Sequence, residues 1–296
     1  MADRGLPRDT RALQRGPSFA LATTALALMA ACGVNRPTPI MRATSLAREH
    51  READAIAILR EQLAAHPDDV PSRRLLVRVL ALTGDLGAAR REVDALERLL
   101  GEADPIPWIE LGHAYEMTHS YEAALEMYDH AAEVAPANPE GPREGGMRAA
   151  RWGEAEWARP RLEEAVRRGA NDVETWHALG LLRAIGHDLD LAEQAYRAGL
   201  RVDSASLECH LGLATVGVMR LDAAGALTEY DILAAKRPEW ADAQLGRAWA
   251  LRRLGRAADA RAAIAEAERL GGDAGVIARQ RAELDADASP AVRKVP

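Results

Sequence analysis

The chain has 296 residues and a formal net charge of −7, an acidic balance that argues against nonspecific binding to nucleic acid. Apolar residues make up 48 % of it, with many alanines and leucines and few β-branched residues, a composition that favours helices over strands. We therefore expect an all-α protein.

The amino-terminal region has the pattern of an export signal. Four arginines precede an uncharged, mostly apolar stretch of about 15 residues from Pro17 to Ala31. This stretch is shorter than the ~20 residues that a membrane-spanning helix needs. It ends in the sequence Met29-Ala30-Ala31-Cys32.

That ending resembles the lipobox of bacterial lipoproteins, with Met29 where Leu is usual. In those proteins the cysteine becomes the first mature residue and carries acyl chains such as palmitate, and two or more chains hold a protein stably on a membrane. Gly33 stands where an Asp commonly retains a lipoprotein in the inner membrane, so the resemblance implies an outer-membrane anchor facing the periplasm. We interpret residues 1–31 as the signal peptide and residues 32–35 as the lipidated Cys32 with a short tether. An ordinary signal peptide with an incidental cysteine is the alternative.

The segment from Pro105 to Ala137 has the pattern of two helices joined by a turn. Steps of three and four residues bring side chains to one face of a helix. They place four residues on one face of the first helix: Trp108, Leu111, Gly112 and Tyr115. The second helix ends before Pro136 and carries three inward residues: Ala124, Tyr128 and Ala131. Related residues recur every 34 positions, apart from a one-residue slip near Gly84.

These residues and spacings resemble the tetratricopeptide repeat (TPR) family. The resemblance implies a right-handed TPR solenoid of about seven helix-turn-helix repeats over residues 36–274. Residues 275–296 then form a capping helix, with Val276, Ile277 and Leu284 on the last repeat, and a disordered tail. The fourth repeat departs from the pattern because Gly145 stands where Leu is expected, beside Gly146. We expect Trp152 and Trp157 to fill the space, in either a degenerate repeat or a flexible joint.

In TPR proteins the first helices line a concave groove that binds protein partners. Carried onto this chain, the outward positions predict a groove formed by Ile109, His113, Met117, Arg143, Met147, Arg151, His177, Leu181, Ile185, Leu211, Val218, Met219, Leu245 and Trp249. Such a groove is apolar through its middle and end and would bind an apolar helix or an extended segment. The alternative is that these side chains pack on adjacent first helices or under the terminal helix.

The sequence contains no recognisable catalytic or metal-binding motif. The histidines are scattered, and neither H-E-x-x-H, paired cysteines, G-x-S-x-G nor a phosphate-binding glycine loop occurs. Glu110 and His113 lie three residues apart on one helix, but no second pair follows. We therefore expect no enzyme activity, metal, cofactor or small-molecule substrate. With Cys32 lipidated, Cys209 is predicted to be a packed, inert thiol.

These features predict a lipid-anchored scaffold that assembles proteins in the bacterial envelope. It resembles, as a class, the TPR outer-membrane lipoproteins that act as pilotins for the secretins of type IV pili or secretion systems. An adaptor that recruits peptidoglycan hydrolases or proteases is the alternative. A self-associating structural protein is an alternative of another class.

Overall fold

The computed structural model describes residues 37–288, which form fifteen α-helices joined by turns, without strands. The predicted signal peptide, Cys32 with its tether, and residues 289–296 of the predicted tail lie outside the described residues. Within the described range, none of the helices combines the length and the apolar character needed to cross a membrane.

Fourteen of these helices form seven consecutive pairs, and a fifteenth follows. The pairs are α1 (Pro39–Arg48) with α2 (Glu52–Ala65), α3 (Val70–Leu82) with α4 (Leu86–Leu100), α5 (Ile106–Met117) with α6 (Tyr121–Val134), α7 (Glu140–Trp152) with α8 (Ala155–Arg167), α9 (Val173–Ile185) with α10 (Leu189–Val202), α11 (Leu207–Met219) with α12 (Ala223–Lys236), and α13 (Ala241–Arg253) with α14 (Ala257–Arg269). The last helix is α15 (Ala274–Ala288). The prediction of an all-α array of about seven helix pairs with a final capping helix is confirmed.

Neighbouring helices pack along the array rather than around one centre. Each helix contacts the next, and the first helix of a pair also contacts the first helix of the following pair in α1–α3, α3–α5, α7–α9 and α9–α11. We call the surface formed by the first helices the first-helix face. The three inward residues predicted on α6, Ala124, Tyr128 and Ala131, are all buried.

Each pair has one left-handed residue in the turn between its helices. These residues are His50, Gly84, His119, Gly153, His187, Leu221 and Gly255. The spacing between successive members equals the period of the sequence repeat, except that His119 follows Gly84 one position later than the period requires. The extra residue that appears as a slip in the sequence therefore lies between Gly84 and His119, where α4, with 15 residues, is the longest second helix of the seven pairs.

The fourth repeat is closely packed at its glycines. Helix α7 runs unbroken through Gly145 and Gly146. A Cβ on Gly146 would lie 2.7 Å from Cγ of Leu162, and one on Gly145 would lie 3.0 Å from Cβ of Tyr128. The prediction that Trp152 and Trp157 fill this space is wrong, because Leu162, Tyr128 and Arg161 occupy it.

Helix α15 covers the last pair as predicted. Ile277 and Leu284 are buried against the apolar cluster that contains Ile264, and Val276 packs there partly buried. Nε2 of Gln280 donates a hydrogen bond to the backbone oxygen of Leu245 at 3.1 Å.

The remaining thiol lies deep between two pairs. Cys209 is fully buried on α11, and a Cβ on Gly199 would lie 2.6 Å from its Sγ. Burial raises the pKa of this thiol, so it stays protonated and unreactive at neutral pH. The prediction of a packed thiol is confirmed.

Candidate partner-binding face

Four exposed apolar side chains of the first-helix face lie on α9 and α11. Leu181 and Ile185 on α9 are 46 % and 61 % exposed, and Leu211 and Met219 on α11 are 36 % and 38 % exposed. We call these four residues the apolar patch. Because α9 and α11 are in contact, the four side chains lie on two adjacent first helices.

The sequence places these side chains outside because the opposite sides of both helices are already committed to the core. Leu179 and Leu182 of α9 are buried, and so are Leu213 and Val216 of α11. Residues four apart lie on the same side of a helix, so His177, Leu181 and Ile185 form one outward row. Asp172 caps the start of α9 by accepting a hydrogen bond from the backbone N–H of Thr175, which fixes where this row begins.

The structure corrects three of the predicted groove residues. Ile109, His113 and Leu245 are buried, so they cannot line an accessible groove. Ile109 and Leu245 occupy the same place in two repeats of the array, and both are packed in core clusters. Leu245 lies beneath α15, so for these residues the alternative of packing on a neighbouring helix holds.

The other predicted residues remain at least partly accessible. Arg151 is exposed, as are the four residues of the apolar patch. Six more are half-buried: Met117, Arg143, Met147, His177, Val218 and Trp249. The structure thus brings together the predicted residues of α9 and α11, whereas the buried residues on α5 belong to the interior.

A polar network that the sequence analysis missed occupies the first-helix face of α3, α5 and α7. Glu110 on α5 is fully buried, and its carboxylate accepts hydrogen bonds from Arg74 at 2.7 Å and from Arg78 at 2.6 and 2.7 Å, both on α3. On the other side, His113 Nε2 lies 3.3 Å from Glu144 Oε2 on α7.

The same network continues to the end of α5. Arg148 NH1 lies 3.2 Å from Glu116 Oε2, and Trp152 donates a hydrogen bond to Glu116 Oε1 at 3.3 Å. We refer to Arg74, Arg78, Glu110, His113, Glu116, Glu144 and Arg148 as the polar network. Its charged contacts join three successive first helices, α3, α5 and α7. On α9 and α11 the first-helix face carries exposed apolar side chains instead.

The network changes the acidity of its members. Burial would raise the pKa of Glu110, but His113 and Arg78 beside it outweigh burial and hold that pKa at about 2. The contact with His113, acting against burial, holds the pKa of Glu144 at about 2 as well. Burial would lower the pKa of His113, whereas the two carboxylates raise it above its ordinary value. Glu110 and Glu144 thus favour the protonated form of His113, although Arg148 NH2 also lies 3.2 Å from its Nε2.

Sequence spacing could have revealed this network. Arg74 and Arg78 lie close to one repeat length before Glu110, and Glu144 lies one repeat length after it. Opposite charges one repeat apart on first helices are brought together by the stacking of the repeats. Among the described residues, no group of histidine, cysteine, aspartate and glutamate side chains is arranged to hold a metal ion.

Comparisons with known proteins agree on the fold. No protein-family model matches the chain, and no curated protein matches it. The chain is similar to the solved C-terminal part of a TPR repeat-containing protein from Cytophaga hutchinsonii, with a TM-score of 0.60 and 14 % identity over 80 % of this chain and 98 % of that one.

Two further solved structures belong to the same class. YrrB, a TPR protein with an unusual peptide-binding site, has a TM-score of 0.58 and 16 % identity over 64 % of this chain and 97 % of that one. MamA has a TM-score of 0.53 and 16 % identity over 56 % of this chain and 91 % of that one. At such low identity the likeness concerns the fold, and the chain has the fold of TPR repeat proteins.

Proposed function

We propose that this protein is a lipid-anchored TPR scaffold that holds a partner protein of the bacterial envelope on its first-helix face. The observation that carries the proposal is the apolar patch, four large side chains exposed on the adjacent helices α9 and α11. Large apolar side chains that no neighbour covers are typical of surfaces that bind other proteins. The proposal gives this chain the same general activity, peptide binding, that YrrB has.

The energy available at the patch suits a specific but reversible contact. Full burial of a large apolar side chain contributes about 1.5–3 kcal/mol, and these side chains are already partly covered. Four of them together would contribute roughly 3–6 kcal/mol before the cost of ordering a partner. Polar contacts at the rim would then set the final affinity.

The test replaces the patch without touching the core. The double variant Leu181→Asp with Ile185→Asp places two carboxylates on the patch. The control variant, Leu191→Asp with Val202→Asp, places two carboxylates on α10, where both side chains are also exposed. Crosslinking in intact cells, followed by mass spectrometry, should recover the partner with wild type and with the α10 variant, and lose it with the patch variant. Equal recovery from all three proteins, with unchanged melting temperatures, would reject the patch as the binding surface.

The anchor belongs to the same proposal and is supported by the Met29-Ala30-Ala31-Cys32 sequence. We expect Cys32→Ser to leave an unprocessed precursor that takes up no labelled palmitate, and fractionation to place the wild-type protein in the outer membrane. A mature wild-type protein with a free Cys32 and no lipid mass would contradict it.

The finer proposal is a pilotin-like role in the assembly of a type IV pilus or secretion secretin. It predicts that a deletion strain has fewer assembled secretin multimers in its outer membrane and that the wild-type gene restores them. Unchanged secretin assembly, with a peptidoglycan hydrolase or protease as the crosslinked partner, would favour the adaptor. A mass that rises with protein concentration would favour the self-associating protein.

A further inference from the structure

Acidic side chains mark one edge of the first-helix face. Glu140, Glu174, Glu208 and Asp242 stand at the same place in four successive repeats, and all are exposed in the first turn of α7, α9, α11 and α13. We call these four residues the acidic edge. Acidic residues are favoured at helix N-termini in general, and Glu122 and Glu156 hold that place on second helices α6 and α8. Acidic residues at this place indicate the chemistry of a partner only together with the apolar patch, which lies on the same helices.

The two central members of the edge keep most of their negative charge available. Glu174 lies 3.4 Å from Arg143 but its side chain remains 75 % exposed, and Arg143 is shared with Asp172 and Glu144. Glu208 accepts a hydrogen bond from the hydroxyl of Ser206 and has no cationic partner among the described residues. The start of α9 and α11 is therefore a negatively charged border.

The border lies close enough to the patch for one bound helix to reach both. Seven residues separate Glu174 from Leu181 on α9 and three separate Glu208 from Leu211 on α11, which at about 1.5 Å per residue is roughly 10 Å and 4.5 Å along the two helices. A helix with its side chains is about 10–12 Å across. The flank of a helix that lies across α9 and α11 with its apolar stripe on the patch is therefore about 5–6 Å from its axis, and a long side chain on that flank would reach Glu174 and Glu208.

The opposite border of the patch is different in character. On α9 and α11 it consists of Ile185 and Met219, which are apolar. Cations stand at the corresponding place on the two flanking first helices, as exposed Arg151 on α7 and as Arg253 on α13, whose guanidinium lies 5.4 Å from the ring centre of Trp249, and on the distant α1 as Arg48. Over the patch itself, one side is negative, whereas at the other side Arg220, next to Met219, is paired with Asp190 and Glu193.

We propose that the partner segment is an amphipathic helix with an apolar stripe and lysine or arginine along one edge of that stripe. This inference rests on the proposed function and adds the chemistry of the partner. Packed helices lie about 8–10 Å apart, and seven residues of a helix rise about 10.5 Å. Basic residues at positions i and i+7 of the partner would therefore face Glu174 and Glu208, one on each first helix.

Defined peptides test this directly. The probes are a three-heptad Leu/Lys peptide with lysines at i, i+7 and i+14 beside the leucine stripe, the same peptide with glutamate for lysine, and a Leu/Lys peptide of scrambled order. Fluorescence anisotropy with the full chain, at low salt and at about 0.5 M NaCl, gives the affinities. We expect the ordered Leu/Lys peptide to bind at least about tenfold more tightly than either other peptide, with a preference that shrinks at high salt.

Variants separate the charge from the apolar contact. Glu174→Gln with Glu208→Gln should weaken binding of the ordered Leu/Lys peptide by about three- to tenfold at low salt. The matched control, Glu122→Gln with Glu156→Gln, removes the same charge from first turns of second helices and should leave the affinity within about twofold, because these residues lie away from the patch.

The outcomes distinguish this inference from the function on which it rests. If the glutamate or scrambled peptide binds as tightly as the ordered Leu/Lys peptide, or if both double glutamine variants weaken binding equally, the basic amphipathic partner is rejected. In that case, loss of binding in Leu181→Asp with Ile185→Asp would still support the patch. If that variant binds every peptide as wild type does, the patch itself is rejected.

Discussion

Glu110 is fully buried and its carboxylate accepts two hydrogen bonds from Arg78, a residue that lies one helix pair earlier in the chain. Removing one partner of a buried ion pair leaves the other charge without compensation, and this costs much more than the loss of an exposed pair. The pair therefore fixes the position of α5 on α3.

Glu110→Ala is expected to destabilise the protein by about 1.5–3 kcal/mol, because Arg78, which is partly exposed, and His113 lose their shared anion. The matched control is Asp94→Ala, which breaks an exposed pair with Arg90 and is expected to cost less than about 0.5 kcal/mol. Urea unfolding followed by circular dichroism measures both. Equal midpoints for the two variants would show that the buried pair contributes no more than a surface pair.

The polar network also predicts how stability changes with pH. The pKa of Glu110 and Glu144 is about 2 in the folded protein against an ordinary value of 4.5, so the unfolded chain takes up protons first. The stability that these two carboxylates contribute to the folded protein is complete above pH 4.5 and is lost as the pH falls towards 2. His113 has a raised pKa, so its contribution is complete below its ordinary value of 6.5 and is lost as the pH rises through the folded value.

We therefore expect the network to stabilise the protein most between about pH 4.5 and 6.5. Urea midpoints measured from pH 3 to 9 for wild type and for His113→Gln test this. The variant should lose the decline above pH 6.5 that His113 causes. An identical pH profile for the two proteins would mean that His113 is not charged in the folded state.

The glycines of α7 give a prediction in which two effects have opposite signs. Helix propensity alone favours Gly146→Ala by about 1 kcal/mol, whereas the new Cβ would lie 2.7 Å from Cγ of Leu162. Overpacking of this kind costs about 1–3 kcal/mol, so we expect the variant to be less stable. Gly87→Ala on α4 is the control, because its Cβ would meet only ordinary contacts at 3.6 and 3.8 Å. A rise in melting temperature for Gly146→Ala would favour the flexible joint over close packing.

The left-handed turn residues predict a stabilising change. Leu221 has a φ of 59°. This left-handed backbone conformation costs a residue that carries a side chain about 1–2 kcal/mol. Leu221→Gly should remove this cost and, after the larger entropy of glycine in the unfolded chain, raise stability by about 0.5–1 kcal/mol. Gly255→Leu is the reciprocal change at the same turn position, φ 75°, and should lower the melting temperature. Changes of the same sign in both variants would contradict this account.

The repeat period made the fold predictable, because a constant spacing that keeps Trp108, Gly112 and Tyr128 in fixed places of the repeat leaves one way to pair the helices. The accessibility of individual groove positions was less predictable. Ile109 and Leu245 share one repeat position and are buried, whereas Leu211 shares it too and remains partly exposed. That difference depends on how closely the next first helix approaches, which no single repeat specifies.

Contacts between charged residues of different repeats also could not be predicted from a single repeat. His113 is an outward residue within its own repeat, so solvent or a partner was the reasonable expectation. Its environment is set instead by Arg78 and Glu144 from the repeats before and after. Properties that arise between repeats become predictable only when three successive repeats are considered together.

The final helix has a consequence for assembly of the protein with itself. α15 lies on α13 and α14 where an eighth repeat would begin, and it covers Ile264 and Leu251 in the last apolar cluster. A second copy cannot stack its own first pair on that end while α15 is in place. Open-ended growth into filaments through this apolar surface, which requires a free complementary surface at each end of every subunit, is therefore blocked.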